Sequence, residues 1–236
     1  MSTSVLPTAL KTPGTKKLVG KRIILASNSP RRKDILINLG LAPEIIPSTF
    51  EENIPVSSFE DIHEYPVATA THKAVEVYER LVSENPEDAP DLVIGADTVV
   101  LTHAQPSTSE VSYSELPGIQ QELLEKPTSK GDNLRMLLDL NGGILYPVLS
   151  SPGYTIKSLD ERTLVYFADN PPHVLEAYAE NGEGRDRAGG FAIQGLGNLL
   201  IRKVDGDFQN VVGFPGASFF KLIELLAEEE EEFMEI

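Results

Sequence analysis

Ten residues near the middle of the chain, Leu92-Val93-Ile94-Gly95-Ala96-Asp97-Thr98-Val99-Val100-Leu101, carry one ionisable side chain among apolar and small neighbours. Apolar character at consecutive rather than alternating positions suits a strand covered on both faces. Asp97 lies inside that run, and a carboxylate so placed must be paired, bind a metal or serve chemistry. A structural salt bridge is the competing reading. Gly95 and Ala96 keep the approach to Asp97 open, and Thr98 adds a hydroxyl.

Strand and helix patterns alternate around this run. Ile23-Ile24-Leu25-Ala26 reads as a strand leading into an amphipathic helix that ends near Gly40. After Ile45-Ile46 comes a loop with Glu51 and Glu52, then a helix from about Pro66 to Leu81 carrying Lys73. Residues 103–121 form a polar insertion, followed by Lys126-Pro127 and a helix with Leu134, Leu137, Leu138 and Leu140 that stops at Gly142-Gly143. Tyr154-Thr155-Ile156 and Thr163-Leu164-Val165-Tyr166-Phe167 read as strands, and His173 to Tyr178 as a helix. The block from Ala188 to Gly197 has too many glycines for an ordinary strand, so its backbone is expected to approach a ligand or another chain closely. Leu199-Leu200-Ile201 reads as a strand. Phe219, Leu222, Ile223 and Leu226 mark the buried face of a last helix. This order predicts an α/β fold, with a mixed central sheet flanked by helices, as a bilobal single domain with a cleft over residues 21–226. Residues 1–20 are expected to be a disordered leader, and 227–236 a solvated acidic tail.

Composition removes several function classes. The formal charge of −16 argues against a non-specific grip on a nucleic-acid polymer, which needs many Lys and Arg contacts to phosphate. A small anion is still compatible with it. The chain has no cysteine, and no apolar run approaches the roughly 18 residues that cross a bilayer. A cytoplasmic protein is expected. The sequences G-x-x-x-x-G-K-[ST], G-x-G-x-x-G, H-E-x-x-H and G-x-S-x-G are all missing, and His63, His72, His103 and His173 lack ligand-like grouping.

The first strand gives way to Ser29-Pro30-Arg31-Arg32-Lys33. Ser29 is a natural N-cap and Pro30 a natural first helical residue, which puts both arginines in the first turn, at the positive end of the helix dipole. A bound anion is the simplest compensation; a basic exposed turn is the alternative. Phosphate suits the free amides, the hydroxyls of Ser27 and Ser29 and two guanidinium forks. Glu51 or Glu52 would supply a second oxygen ligand beside Asp97 for Mg²⁺. Lys73, Lys126, Glu183, Asp186 and Gln194 are further polar candidates whose convergence would matter.

Taken in order, Leu25-Ala26-Ser27-Asn28-Ser29-Pro30-Arg31-Arg32, Gly95-Ala96-Asp97-Thr98-Val99-Val100 and Glu125-Lys126-Pro127 closely resemble the Maf family of nucleoside triphosphate pyrophosphatases. Gly182-Glu183, Asp186-Arg187-Ala188-Gly189, Ile193-Gln194-Gly195 and Asn210-Val211-Val212-Gly213-Phe214-Pro215 resemble its closing motifs.

The resemblance implies hydrolysis of a nucleoside triphosphate between its α and β phosphates, with Mg²⁺ or Mn²⁺. It implies Asp97 as the base that activates water, Glu51 near the metal, and Lys126, assisted by Lys73, on the phosphates together with Arg31 and Arg32. Arg31, Thr98 and Gln194 match the branch that prefers dTTP and UTP, and the Gln194 amide suits a pyrimidine edge. A homodimer is implied. Tyr146 stands where a histidine is usual, Arg187 where a lysine is usual, and an arginine upstream of Lys73 is missing. Two rivals are a nucleotide-binding regulator of division that has lost catalysis and a pyrophosphatase for modified purine nucleotides.

Overall fold

The computed structural model describes residues 4–101, 123–124, the backbone of 141–150, 154–229 and 233–234. Its elements in chain order are α1 (Pro13–Lys17), β1 (Ile23–Leu25), α2 (Pro30–Asn38), β2 (Glu44–Ile45), α3 (Glu64–Glu84), β3 (Leu92–Ile94), β4 (Asp97–Leu101), β5 (Leu123–Leu124) and β6 (Asn141–Ser150). After these come β7 (Thr155–Phe167), α4 (Pro172–Asn181), β8 (Ile201–Asp205), α5 (Phe208–Val212) and α6 (Gly216–Glu229). Helices and a mixed set of strands interleave, as expected of an α/β fold. The helix expected to carry Leu134, Leu137, Leu138 and Leu140 lies outside the described residues, as do the polar insertion and Lys126.

The chain forms two compact units, one of residues 1–97, 144–161 and 213–236, the other of 98–143 and 162–212. In the first, β1 runs parallel to β2, with Ile24 opposite Glu44, and to β3, with Ile24 opposite Val93. β6 joins β3 antiparallel, Val93 facing Leu149. Helix α3 covers these strands. Its Ala74, Val77, Tyr78 and Leu81 pack on Ile24, Ala26 and Val93, a spacing that keeps one face of the helix on the core. The central apolar run is two strands, not one, because the chain breaks at Gly95-Ala96. A Cβ at Gly95 would run into the Ala70 carbonyl and the Ala74 methyl of α3, so only glycine lets strand and helix come this close.

Three expectations about segments change. The leader is ordered from Ser4: Val5 pairs with Leu41, Leu6 N–H donates to the Gly40 carbonyl at 2.7 Å, and Leu18 is 1% exposed. Thr12 and Thr15 build a capping box on α1, and Thr12 Oγ1 donates to Glu224 of α6 at 2.5 Å. The acidic end is not wholly a solvated tail either. α6 runs through Glu229, and Phe233 and Met234 are buried at 5% and 8% exposure. Finally, the two strands expected at 154–156 and 163–167 are one, β7.

In the second unit β4 pairs with β5, Val100 facing Leu124, and β7 pairs antiparallel with β8, Val165 facing Val204. Phe167 meets Phe191 edge-on at 5.4 Å. The glycine-rich block folds into short 3₁₀ turns at Ala188–Gly190 and Leu196–Leu200; the strand expected at 199–201 therefore begins only at Ile201.

Candidate functional site

β1 ends at the turn that starts α2. Ser29 has extended backbone and Pro30 opens the helix as expected, but the Ser29 hydroxyl makes no capping bond. Ser27 organises the turn instead, its Oγ accepting from Ser29 N–H at 3.3 Å and from Arg32 Nη1 at 3.0 Å. Arg32 Nη1 also donates to the Ala96 carbonyl at 2.9 Å, and Nε to the Gly213 carbonyl at 3.0 Å. Arg32 thus ties the helix start to the residue before Asp97 and to the loop before α6. It is a tie within the fold rather than an open phosphate fork. Arg31 differs. Among the described residues its Nε and Nη1, both buried, have no hydrogen-bond partner. Buried charged donors left unpaired are costly, by more than the roughly 1–3 kcal/mol of a neutral group, and nearly all find a partner. An oxyanion at the first turn of α2, which holds no acidic residue, would supply one.

Asp97, 7% exposed, opens β4, and Lys73, 8% exposed, lies on α3. Lys73 Nζ donates to Asp97 Oδ1 at 2.9 Å and contacts Glu52 Oε1 at 2.8 Å. Two carboxylates from different segments therefore converge on one ammonium. Glu51, expected beside a metal, is exposed, and its carboxylate accepts from the Asn53 amide at 3.4 Å. Glu52 is the residue the loop delivers. Adjacent residues in extended chain point opposite ways, and no periodicity in this loop says which glutamate faces inward. Phe50 lays the loop against α3, its ring stacking on His72 with centroids 4.9 Å apart.

For a divalent cation, Glu52 and Asp97 are an apt pair. Both already share one cationic partner, and a hard ion of this kind takes few carboxylates and fills the rest of its shell with phosphate oxygens and water. Among the described residues no cluster of three or more His, Asp or Glu side chains forms.

The remaining candidates lie in the second unit. Glu183, read as a substrate contact, is a hub of the glycine-rich turn. Its carboxylate accepts from Leu196 N–H and Gly197 N–H, each at 3.0 Å, and from the Tyr178 hydroxyl at 3.0 Å. Tyr178 in turn accepts from Ala192 N–H at 2.9 Å. Burial first, then the neighbouring Glu183, pushes the Tyr178 phenol far above its usual range. Its proton stays in place, and the turn stays clamped. The close backbone approach expected of the glycines is internal, since a Cβ at Gly184 would strike the Gly190 carbonyl. The clamp leaves Gln194 and Asp186 exposed, while Thr98 is half-buried. Arg187 keeps a buried Nε without a hydrogen-bond partner among the described residues, and burial lowers its pKa.

Together these features define a mixed α/β protein with an anion-seeking helix start tied to the strand that carries a buried carboxylate. The chain belongs to the Maf family: the family model, described as Maf-like protein, matches residues 22–226. A dTTP/UTP pyrophosphatase of Schizosaccharomyces pombe is 38% identical over 235 residues, covering 93% of this chain and 90% of the relative. One from Saccharomyces cerevisiae is 35% identical over 213 residues, 84% and 88% of the two chains. A human probable bifunctional dTTP/UTP pyrophosphatase/methyltransferase protein is 40% identical over 220 residues; the match takes in 89% of this chain and 32% of that longer protein.

Proposed function

We propose that the protein hydrolyses nucleoside triphosphates, dTTP and UTP foremost, to nucleoside monophosphate and pyrophosphate, clearing these and modified pyrimidine nucleotides from the pool. The observation that carries this reading is the buried Asp97 carboxylate held on Lys73 beside Glu52. The activity for which the relatives are named supports the substrate class.

In the reaction a water oxygen bonds to the α phosphorus, and the bridging P–O bond breaks with its electron pair leaving on pyrophosphate. Asp97 takes the proton of the attacking water, a contribution typically worth about 10²–10⁴-fold. Lys73 fixes the orientation of that carboxylate and, with its positive charge, favours the negative charge that builds on the phosphates. Arg31 brings two unpartnered donors to phosphate oxygens, and donors aimed at the leaving group stabilise it as its charge develops. Lys126 would add a cation there, a role carried by the family resemblance. The Gln194 amide would pair with a carbonyl and an N–H of a pyrimidine together, a role carried by the family resemblance. Glu52 and Asp97 would hold Mg²⁺ or Mn²⁺, which when bound neutralises phosphate charge. A homodimer belongs to the same reading on the family resemblance, and a cytoplasmic location on composition. Among the described residues no helix is long and apolar enough to cross a membrane.

The test is pyrophosphate release from a panel of natural and modified triphosphates with Mg²⁺ or Mn²⁺, for the native protein and Asp97→Asn. Turnover led by dTTP or UTP, and reduced at least about 10²-fold by the substitution, is expected. Nucleotide binding without any release would replace catalysis by a regulatory role, and a panel led by modified purines would move the substrate class.

A further inference from the structure

Glu52 reaches Lys73 from a segment with little backbone order of its own: between β2 and α3 the chain has only short turns. What holds that segment is α3. Glu76, one turn beyond Lys73 on the same helix, accepts from Ser48 Oγ at 2.7 Å, Thr49 N–H at 3.0 Å and Thr49 Oγ1 at 3.0 Å. Arg80, one turn further, donates from Nε to Glu76 at 2.7 Å and from Nη2 to the Pro47 carbonyl at 3.1 Å. Positions 73, 76 and 80 are neighbours along one stripe of a helix. The loop is thus fastened at two successive turns of α3 before it presents Glu52 to a third.

We propose that Glu76 is a positioning residue for the reaction, fixing through Ser48 and Thr49 the loop that delivers Glu52 to the Lys73 and Asp97 site. The inference rests on the pyrophosphatase reading for its catalytic consequence, though not for the loop itself. Glu76 touches neither Lys73 nor Asp97 among the described contacts, so its effect passes through Glu52. The Phe50 and His72 stack alone cannot set the register, because an aromatic stack permits sliding, whereas the three bonds to one carboxylate fix position and direction. Removing Glu76 leaves the Arg80 bond to the Pro47 carbonyl and the Phe50 stack in place but takes away the bonds that fix residues 48 and 49. Loss of alignment at a reacting centre by about 1 Å costs on the order of 10²-fold in rate.

The experiment compares native protein, Glu76→Ala, and Ser48→Ala combined with Thr49→Val, which keeps Glu76 on Arg80 and removes the loop's two hydroxyl donors while the Thr49 N–H stays. Amide exchange is followed without nucleotide or metal, and dTTP turnover is followed against Mg²⁺ concentration. Both variants should exchange faster over residues 48–53 with α3 protection unchanged. They should also show kcat reduced by about ten- to a hundredfold and a higher Mg²⁺ concentration at half-maximal rate, with partial recovery at saturating Mg²⁺. Unchanged exchange over 48–53 overturns the proposal. So does faster exchange with native kcat and Mg²⁺ dependence. A native protein that releases no pyrophosphate would sink the pyrophosphatase reading and with it the catalytic role of Glu76, while the exchange data would still decide whether Glu76 holds the loop.

Discussion

Arg31 and Arg32 are chemically identical neighbours with opposite employment. Arg32 satisfies Ser27 Oγ and the carbonyls of Ala96 and Gly213, three groups from three loops. Arg31 keeps two buried nitrogens that none of the described residues satisfies. Replacing each by alanine should therefore separate binding from stability. Arg31→Ala is expected to raise the KM for dTTP by about ten- to a hundredfold, the size of one charge-assisted hydrogen bond, with the melting temperature of the nucleotide-free protein no lower than native. Arg32→Ala should destabilise the fold by about 1–3 kcal/mol, and Arg32→Lys should recover little because an ammonium lacks the planar fork. Calorimetry alongside steady-state kinetics on both variants checks the pair. From sequence the two read as one cationic cluster. The helix start that defines the cluster was legible from Ser29 and Pro30, but which guanidinium turns inward depends on carbonyls supplied from positions 96 and 213, which no local pattern reveals.

At the scale of elements, a helix and a turn each work through a carboxylate that accepts from backbone. Glu76 is held near pKa 2, against an ordinary 4.5: burial pushes it up, and the bonds from Arg80, Ser48 and Thr49 outweigh burial and pull it down. A carboxyl whose folded pKa is depressed contributes stability that is complete above its unfolded pKa and is lost as pH falls through the folded value. Between about pH 4.5 and 2 the native protein should therefore lose stability that Glu76→Gln has already lost, flattening that part of the variant's acid slope. Urea midpoints measured across this window give the comparison. Glu183 holds the second element, the glycine-rich turn. Glu183→Gln is expected to weaken the bonds to Leu196, Gly197 and Tyr178 and to raise the KM for pyrimidine nucleotides more than it lowers kcat, since Gln194 rides on that turn. Sequence reading found these elements because apolar periodicity marks α3 and α6 and glycine density marks the turn. It did not foresee the bonds Glu183 makes within the turn, and it left Glu51 and Glu52 open until the family resemblance chose Glu51, because a side chain's partner in a loop is fixed by tertiary contacts rather than by spacing.

The segment before the family match behaves as part of the first unit, and this is a property of the molecule rather than of any one element. Its polar, proline-bearing composition reads as disorder, since it offers too few apolar residues to fold alone. It orders by borrowing partners. Leu18 is buried in the unit's core, Ser4 Oγ donates to the Lys21 carbonyl at 2.5 Å, and α1 packs on α6, where Glu224 accepts from Thr12. Gly14 lies so close to Glu224 and Ile223 that a Cβ there would strike both side chains. Removing residues 1–20 would take Leu18 from the core, a loss of about 2–3 kcal/mol for one large aliphatic side chain. It would also leave Glu224 without its donor and the Leu41 edge without Val5. For a chain of this size each kcal/mol shifts the melting temperature by roughly 2–4 °C, so the truncated protein should melt about 5–10 °C lower. Turnover at 20 °C should persist, because none of the residues placed at the phosphate or carboxylate sites belongs to the segment. A truncated protein that melts like the native one would mean that α1 and its contacts add nothing to the unit, and a truncated protein that is stable but inactive would assign the segment to the site.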